Sequence, residues 1–132
     1  MKEAELKKRT QQFGLRIMKL VEALPKGSLG WAVGNQLVRS GTSVGANYRA
    51  ACRARSKAEF IARLGVVEEE ADESAYRLEM IVEGNLMKSS LVRPLLGEAN
   101  EIVAIITASR ISAGRNPSRT LTSRIKNQES KI

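Results

Sequence analysis

Seven residues, Phe60, Leu64, Val67, Ala71, Ser74, Leu78 and Ile81, follow one another at alternating spacings of four and three. That spacing returns to the same side of an α-helix every two turns, so the segment carries a continuous seam over three heptad repeats. In a strand, side chains one apart point to opposite faces and the set would scatter. Ser56 precedes the seam and Glu59 lies three residues on, so SKAE is a capping box that starts the helix at 57. Gly84 and Asn85 supply its C-cap. A helix this long with one apolar face needs other helices to cover that face.

The rest of the chain supplies them. Residues 2–24 repeat Leu6, Phe13, Ile17, Leu20, Val21 and Leu24 at helical spacing, with Lys and Arg on the other faces. Pro25 and Gly27 end that helix, glycine taking the left-handed cap position. Ser28 is the expected N-cap of a second helix over 28–54, bearing Leu29, Trp31, Val33, Leu37 and Val38. Gly41 and Gly45 each cost it about 1 kcal/mol relative to alanine, which suits positions where a neighbouring backbone comes close. A kink near Ser40–Ser43 is the alternative. The fourth helix is expected over 93–112, because Pro94 belongs in a first turn. Four amphipathic helices with short connections make an all-α, up-down-up-down four-helix bundle over residues 1–112. Residues 113–132 lack sustained periodicity and read as a flexible, disordered basic tail.

Composition narrows the chemistry. Five aromatic residues among 132 leave the core to Leu, Ile, Val, Ala and Met. Cys52 is the lone cysteine, which excludes an intrachain disulfide, and the absence of histidine removes the commonest general base and metal ligand. No apolar run approaches the roughly 18–20 residues needed to span a bilayer. The N-terminal MKEAELKKRTQQ has no apolar signal core, so a cytoplasmic location is expected. The formal charge is +8, and the tail alone holds five basic residues against one acid. Such an excess favours polyanionic partners and also serves solubility.

Two charged sets stand out. Glu68, Glu69, Glu70, Asp72 and Glu73 form the densest carboxylate cluster. A di-metal site in a helical bundle needs Glu-x-x-His motifs, which this chain cannot supply, and a consecutive run wraps around its helix. No metal and no cofactor are therefore expected, and the band reads as a solvated or interface surface. The basic set is Arg39, Arg49, Arg53, Arg55, Lys57 and Arg63. Arg49 and Arg53 lie one turn apart and could engage successive phosphates. Two readings stay open: a nucleic-acid interface, or pairing with the acidic band of the next helix or of a neighbouring subunit. Asn47, beside Gly45 and Ala46, reads as a helix-register residue, in company with Gly41 and Gly45. Ser40, Thr42 and Ser43 have no histidine or evident lysine base, so no catalytic residue is assigned and no enzymatic activity is expected. Cys52, next to Arg53, reads as a small core residue.

The stretch QLVRSGTSVGANYRAACRARSKAEFIARLGVVEEEADESAYRLE resembles the signature of the four-helix-bundle proteins also called the 23S ribosomal RNA intervening-sequence protein family. Gln36, Leu37, Arg39, Ser40, Ser43, Asn47, Ser56, Phe60, Gly65, Glu69 and Glu73 carry the likeness, joined by Pro25 and the Gly30-Trp31 pair. The resemblance implies a left-handed up-and-down bundle that assembles into a ring-like homopentamer in bacteria. Relatives serve as accessory proteins of diversity-generating retroelements, which implies RNA or a nucleoprotein such as a reverse transcriptase as a partner. Where the family often has an aromatic after Tyr76, this chain has Arg77.

Overall fold

The computed structural model describes residues 1–115. Their secondary structure is four helices without a strand: α1 (Glu3–Glu22), α2 (Ser28–Cys52), α3 (Lys57–Glu83) and α4 (Ser89–Gly114). None of these is long and apolar enough to cross a membrane. The tail expectation falls on residues 116–132, outside the described ones, while α4 itself reaches Gly114, past the expected boundary at 112.

The seam of α3 is buried in full, from Phe60 to Ile81. It faces two partners, since α3 packs extensively on both α2 and α4, whereas α1 packs on α2 and meets α4 only lightly. Aliphatic side chains and three aromatics (Phe13, Tyr48, Phe60) fill the shared interior. Fully burying one such side chain is worth about 1.5–3 kcal/mol, so this interior supplies the main driving force for the bundle.

The helix ends show the local chemistry at work. Ser56 accepts a hydrogen bond from the Glu59 amide at 3.1 Å, as a capping serine should. The returning Glu59 carboxylate accepts from the Arg55 amide at 3.0 Å, one residue before the cap itself. At the far end Asn85 adopts φ 56°, the Leu86 amide donates to the Ile81 carbonyl, and the Asn85 amide donates to that of Val82. That is a Schellman closure with asparagine, not Gly84, in the left-handed position.

Two starts differ from expectation. Helix α2 begins with Ser28 already helical, and Gly27, at φ 137°, takes the cap position in place of Ser28. The chain turns tightly there: a Cβ on Gly30 would lie 2.0 Å from the Pro25 carbonyl oxygen, so no side chain fits. Helix α4 starts at Ser89, leaving Pro94 inside the helix rather than in its first turn. Proline there removes one amide donor to the Ser90 carbonyl, and both residues are exposed, so water can satisfy that oxygen.

Helix α2 is continuous through Ser40–Ser43. Its glycines lie where α1 presses in: a Cβ on Gly41 would sit 2.8 Å from Ile17 Cγ1, and one on Gly45 3.3 Å from the Thr10 backbone. Going up α1 from Thr10 to Val21, the facing residues descend α2 from Gly45 to Gly34, so the two helices run in opposite directions. Asn47 does not act across helices; its amide donates to the Ser43 carbonyl of its own helix at 2.9 Å. The polar link between α2 and α3 is instead Ser74 Oγ to Ser40 Oγ, 2.9 Å apart and buried. Each serine also reaches a backbone carbonyl of its own helix, so neither hydroxyl is stranded.

Candidate nucleic-acid interface

The six basic positions singled out in the sequence do not form one face. Arg39 reaches across to α3, donating through Nη1 to both carboxylate oxygens of Glu70 at 3.2 Å and through Nη2 to Glu73. These carboxylates, Glu70 first, raise the Arg39 guanidinium pKa above its ordinary value. Arg49 lies ten residues further along the same helix, about 15 Å at 1.5 Å per residue. It and Arg53 are exposed, and Arg55 follows in the α2–α3 corner, also exposed. Arg63 is exposed on α3. Among the described residues no ion pair engages the side chains of Arg49, Arg53, Arg55 or Arg63. Lys57 is different, half-buried with its ammonium withdrawn from solvent, and so contributes less to the displayed charge.

The acidic band divides as the helix turns. Glu70 and Glu73 face Arg39, Glu68 accepts from Arg110 Nε of α4 at 2.9 Å, and Glu69 and Asp72 point outward. Among the described residues, no three carboxylate or cysteine side chains are grouped so as to hold a metal ion. Arg77 places its guanidinium 5.8 Å from the Tyr76 ring centroid, a cation–π contact at the surface.

Helix α1 adds cations that the reading of α2 alone missed. Lys7 and Lys8 line an open groove of about 490 Å³ together with Arg49. Small and apolar residues of both helices, among them Gly14, Leu15, Met18, Gly45 and Ala46, line the rest of it. Lys7 makes an i,i+4 pair with Glu3 at 3.5 Å; among the described residues Lys8 and Arg49 make none. The lysines are four decades of sequence away from Arg49, and only the packing of α1 on α2 brings them together.

The neighbouring polar groups are occupied with structural bonds. Thr42 Oγ1 donates to the Val38 carbonyl at 2.7 Å, and Thr10 Oγ1 to that of Leu6 at 2.9 Å. Burial, followed by the Glu3 carboxylate, pushes the Cys52 thiol up to about 12, so it stays protonated and unreactive at neutral pH. Hydroxyls bonded to backbone carbonyls and a protonated thiol offer no activated nucleophile.

The family model of the 23S rRNA-intervening sequence protein matches residues 2–108, covering all of α1, α2 and α3 and most of α4. The chain belongs to this family. No curated protein matches it. A crystal structure of a protein of unknown function from the S23 ribosomal protein family of Bacteroides thetaiotaomicron is similar over most of the chain. It shares 30% sequence identity with a TM-score of 0.77, over 83% of this chain and 98% of that one. Pro25, Gly30 and the Gln36–Glu79 stretch of this intervening-sequence protein therefore fall inside the matched region, along with the groove and the α2–α3 corner.

Proposed function

We propose that this intervening-sequence protein is a non-enzymatic, oligomeric cytoplasmic bundle that binds RNA, alone or within a nucleoprotein. The contacts would run through Arg49, Arg53, Arg55 and Arg63, with Lys57 behind them and Lys7 and Lys8 extending the surface along α1. One observation carries the reading: these four arginines are exposed and, among the described residues, take part in no ion pair, whereas Glu68, Glu70 and Glu73 of the next helix are engaged by Arg110 and Arg39. An internal neutralising role belongs to Arg39, not to the corner. Unpaired guanidiniums one helical turn apart suit consecutive phosphates, and releasing their counterions makes binding salt-dependent. We also take from the family likeness an up-down-up-down, left-handed bundle that forms a homopentamer.

The test is a gel-shift titration of structured RNA at increasing salt. The parent chain should shift RNA at low salt and lose affinity as salt rises. Arg53→Glu with Arg55→Glu should abolish the shift while helicity stays unchanged. A parent that shifts nothing at low salt, or a variant that shifts as the parent does, removes the RNA-binding reading.

A second reading has its own observation. The groove holding Lys7, Lys8 and Arg49 contains the apolar side chains Leu15 and Met18, which phosphates do not need. Part of the basic surface therefore suits a protein partner.

A further inference from the structure

We propose that the cleft beside Trp31, where α1 turns into α2, holds an unpaired guanine nucleotide. The chemistry is the same whether that nucleotide belongs to an RNA or is free in solution. Its RNA arm rests on the proposed function; the recognition of guanine does not.

Two glycines shape the cleft. Gly34 is pressed against α1, since a Cβ there would sit 2.9 Å from Val21 Cγ1 and 3.6 Å from Leu24 Cδ1. Gly30 is closed against Pro25 in the same way. Without side chains at these positions, Trp31 stands beside an open slot of about 340 Å³, lined by Val21 and Leu24 on the α1 side. That volume lies in the roughly 300–1,000 Å³ range of small-ligand sites. Trp31 is 70% exposed, the most of any large hydrophobic residue among the described ones. An indole face in water beside such a slot is a stacking platform, and stacking a base on an aromatic side chain strengthens binding about five- to hundredfold.

Glu22, Lys26 and Asn35 also line the cleft, all exposed. Among the described residues no ion pair engages Glu22 or Lys26. Asn35 lies one turn from Trp31 on the same face of α2. These groups decide which base fits. A carboxylate only accepts, and guanine alone presents two adjacent donors, its ring N–H and its exocyclic amine, on the Watson–Crick edge. Adenine and cytosine set a ring-nitrogen lone pair beside their amine, and uracil flanks its single donor with carbonyls. Glu22 therefore selects guanine. Lys26 supplies a cation for the phosphate, and the Asn35 amide a donor for the guanine carbonyl. A purely apolar ligand would leave all three groups unmatched; a phosphate alone has no use for the indole and is repelled by Glu22.

Trp31 precedes Arg49 by eighteen residues on α2, about 27 Å at 1.5 Å per residue. An RNA held at the α2–α3 corner would thus present its unpaired guanine toward the other end of the bundle.

Trp31 is the only tryptophan in the chain, so its fluorescence reports on the cleft directly. The full chain is titrated with guanosine monophosphate, and N-acetyltryptophanamide with the same nucleotide corrects for absorbance and collisional quenching. Quenching should saturate, with affinity at least about tenfold above that for the adenosine, cytidine and uridine monophosphates. Glu22→Gln turns an amide NH2 toward one of the two guanine donors, so the preference should vanish while quenching by adenosine monophosphate stays at the parent level. Glu22 is exposed, and circular dichroism checks that the variant keeps the parent helicity. No saturable quenching by guanosine monophosphate, equal affinity for the four nucleotides, or a Glu22→Gln chain that keeps the preference each overturns the proposal.

Two RNA hairpins that differ only in a loop guanine against a loop uridine separate the sources. Quenching by the guanine-loop hairpin supports a nucleotide carried on RNA. Quenching by guanosine monophosphate with that hairpin silent supports a free nucleotide and overturns the RNA arm. Arg53→Glu with Arg55→Glu should keep the mononucleotide quenching, and Trp31→Leu should keep the salt-dependent shift of the uridine-loop hairpin. A failure of RNA binding at the corner and a failure of the cleft therefore give separate signals.

Discussion

Helix α2 touches a neighbour on each side, and the two sides treat its arginines differently. Toward α3, Arg39 meets Glu70 and Glu73, and beneath it Ser40 and Ser74 share a buried hydrogen bond. Toward α1, Arg49 meets Lys7 and Lys8 across a groove of small and apolar residues. The same residue type on one helix is thus a closed structural contact at one position and an open cationic surface at the other. The partner helix decides which, because a charge is neutralised only where an opposite charge lies within a few ångströms.

Filling the tight seam between α1 and α2 should break this contrast most severely. Gly41→Leu forces a branched side chain into space occupied by Ile17, and overpacking of this kind costs about 1–3 kcal/mol or more. Urea unfolding should show a lower midpoint, and the groove that depends on α1 lying close should be lost with it.

The serine link sharpens the other side. Ser74→Ala leaves the Ser40 hydroxyl with only its 3.3 Å bond to the Leu37 carbonyl, a loss of about 1 kcal/mol. Adding Ser40→Ala should cost less than a second such loss, since both polar groups are then gone. A double-mutant cycle in urea measures the coupling; additive losses would show that the two hydroxyls act separately.

A smaller effect is expected where α1 meets α4. Arg9 Nε and Nη2 donate to the two oxygens of Glu98 at 2.7 Å, and Nη2 reaches Glu101 at 2.8 Å. The Arg9 bond holds the Glu98 carboxyl below its ordinary pKa. A depressed carboxylate stabilises the fold above its unfolded pKa and loses that contribution as pH falls through the folded value. The parent should therefore lose more stability on acidification than an Arg9→Gln chain does, measured by thermal unfolding across the acid range. The pair is partly solvated, so the difference is modest.

The least change is expected from Arg39→Gln in the gel-shift titration. Its charge is already engaged by α3, so RNA affinity should stay at the parent level, in contrast to the corner variant. A loss comparable to that variant's would erase the distinction between the two sides of α2.

Much of the fold was legible because its signals are local. The four-and-three spacing of Phe60 to Ile81, the Ser56–Glu59 cap and the Gly84-Asn85 stop each depend on residues a turn or two apart. Where expectation slipped, a local rule met a compensation it could not foresee. Pro94 sits deeper in α4, where the carbonyl it leaves without a donor belongs to the exposed Ser90, and Asn47 donates to a carbonyl of its own helix. The candidate site was legible by residue type only. Arg49, Arg53, Arg55 and Arg63 were visible as a basic run, yet nothing in that run separates them from Arg39.

By itself the sequence determined four amphipathic helices and the buried faces of α1, α3 and α4, since periodicity and capping act within a single helix; on α2 the expected Leu29 and Trp31 are instead exposed, at 62% and 70%. Only the tertiary structure decided which cation is neutralised, that Lys7 and Lys8 join Arg49, and that Ser40 rather than Asn47 bonds across to α3. Those outcomes depend on the offset and rotation between packed helices, and a shift of one turn would pair every charge differently.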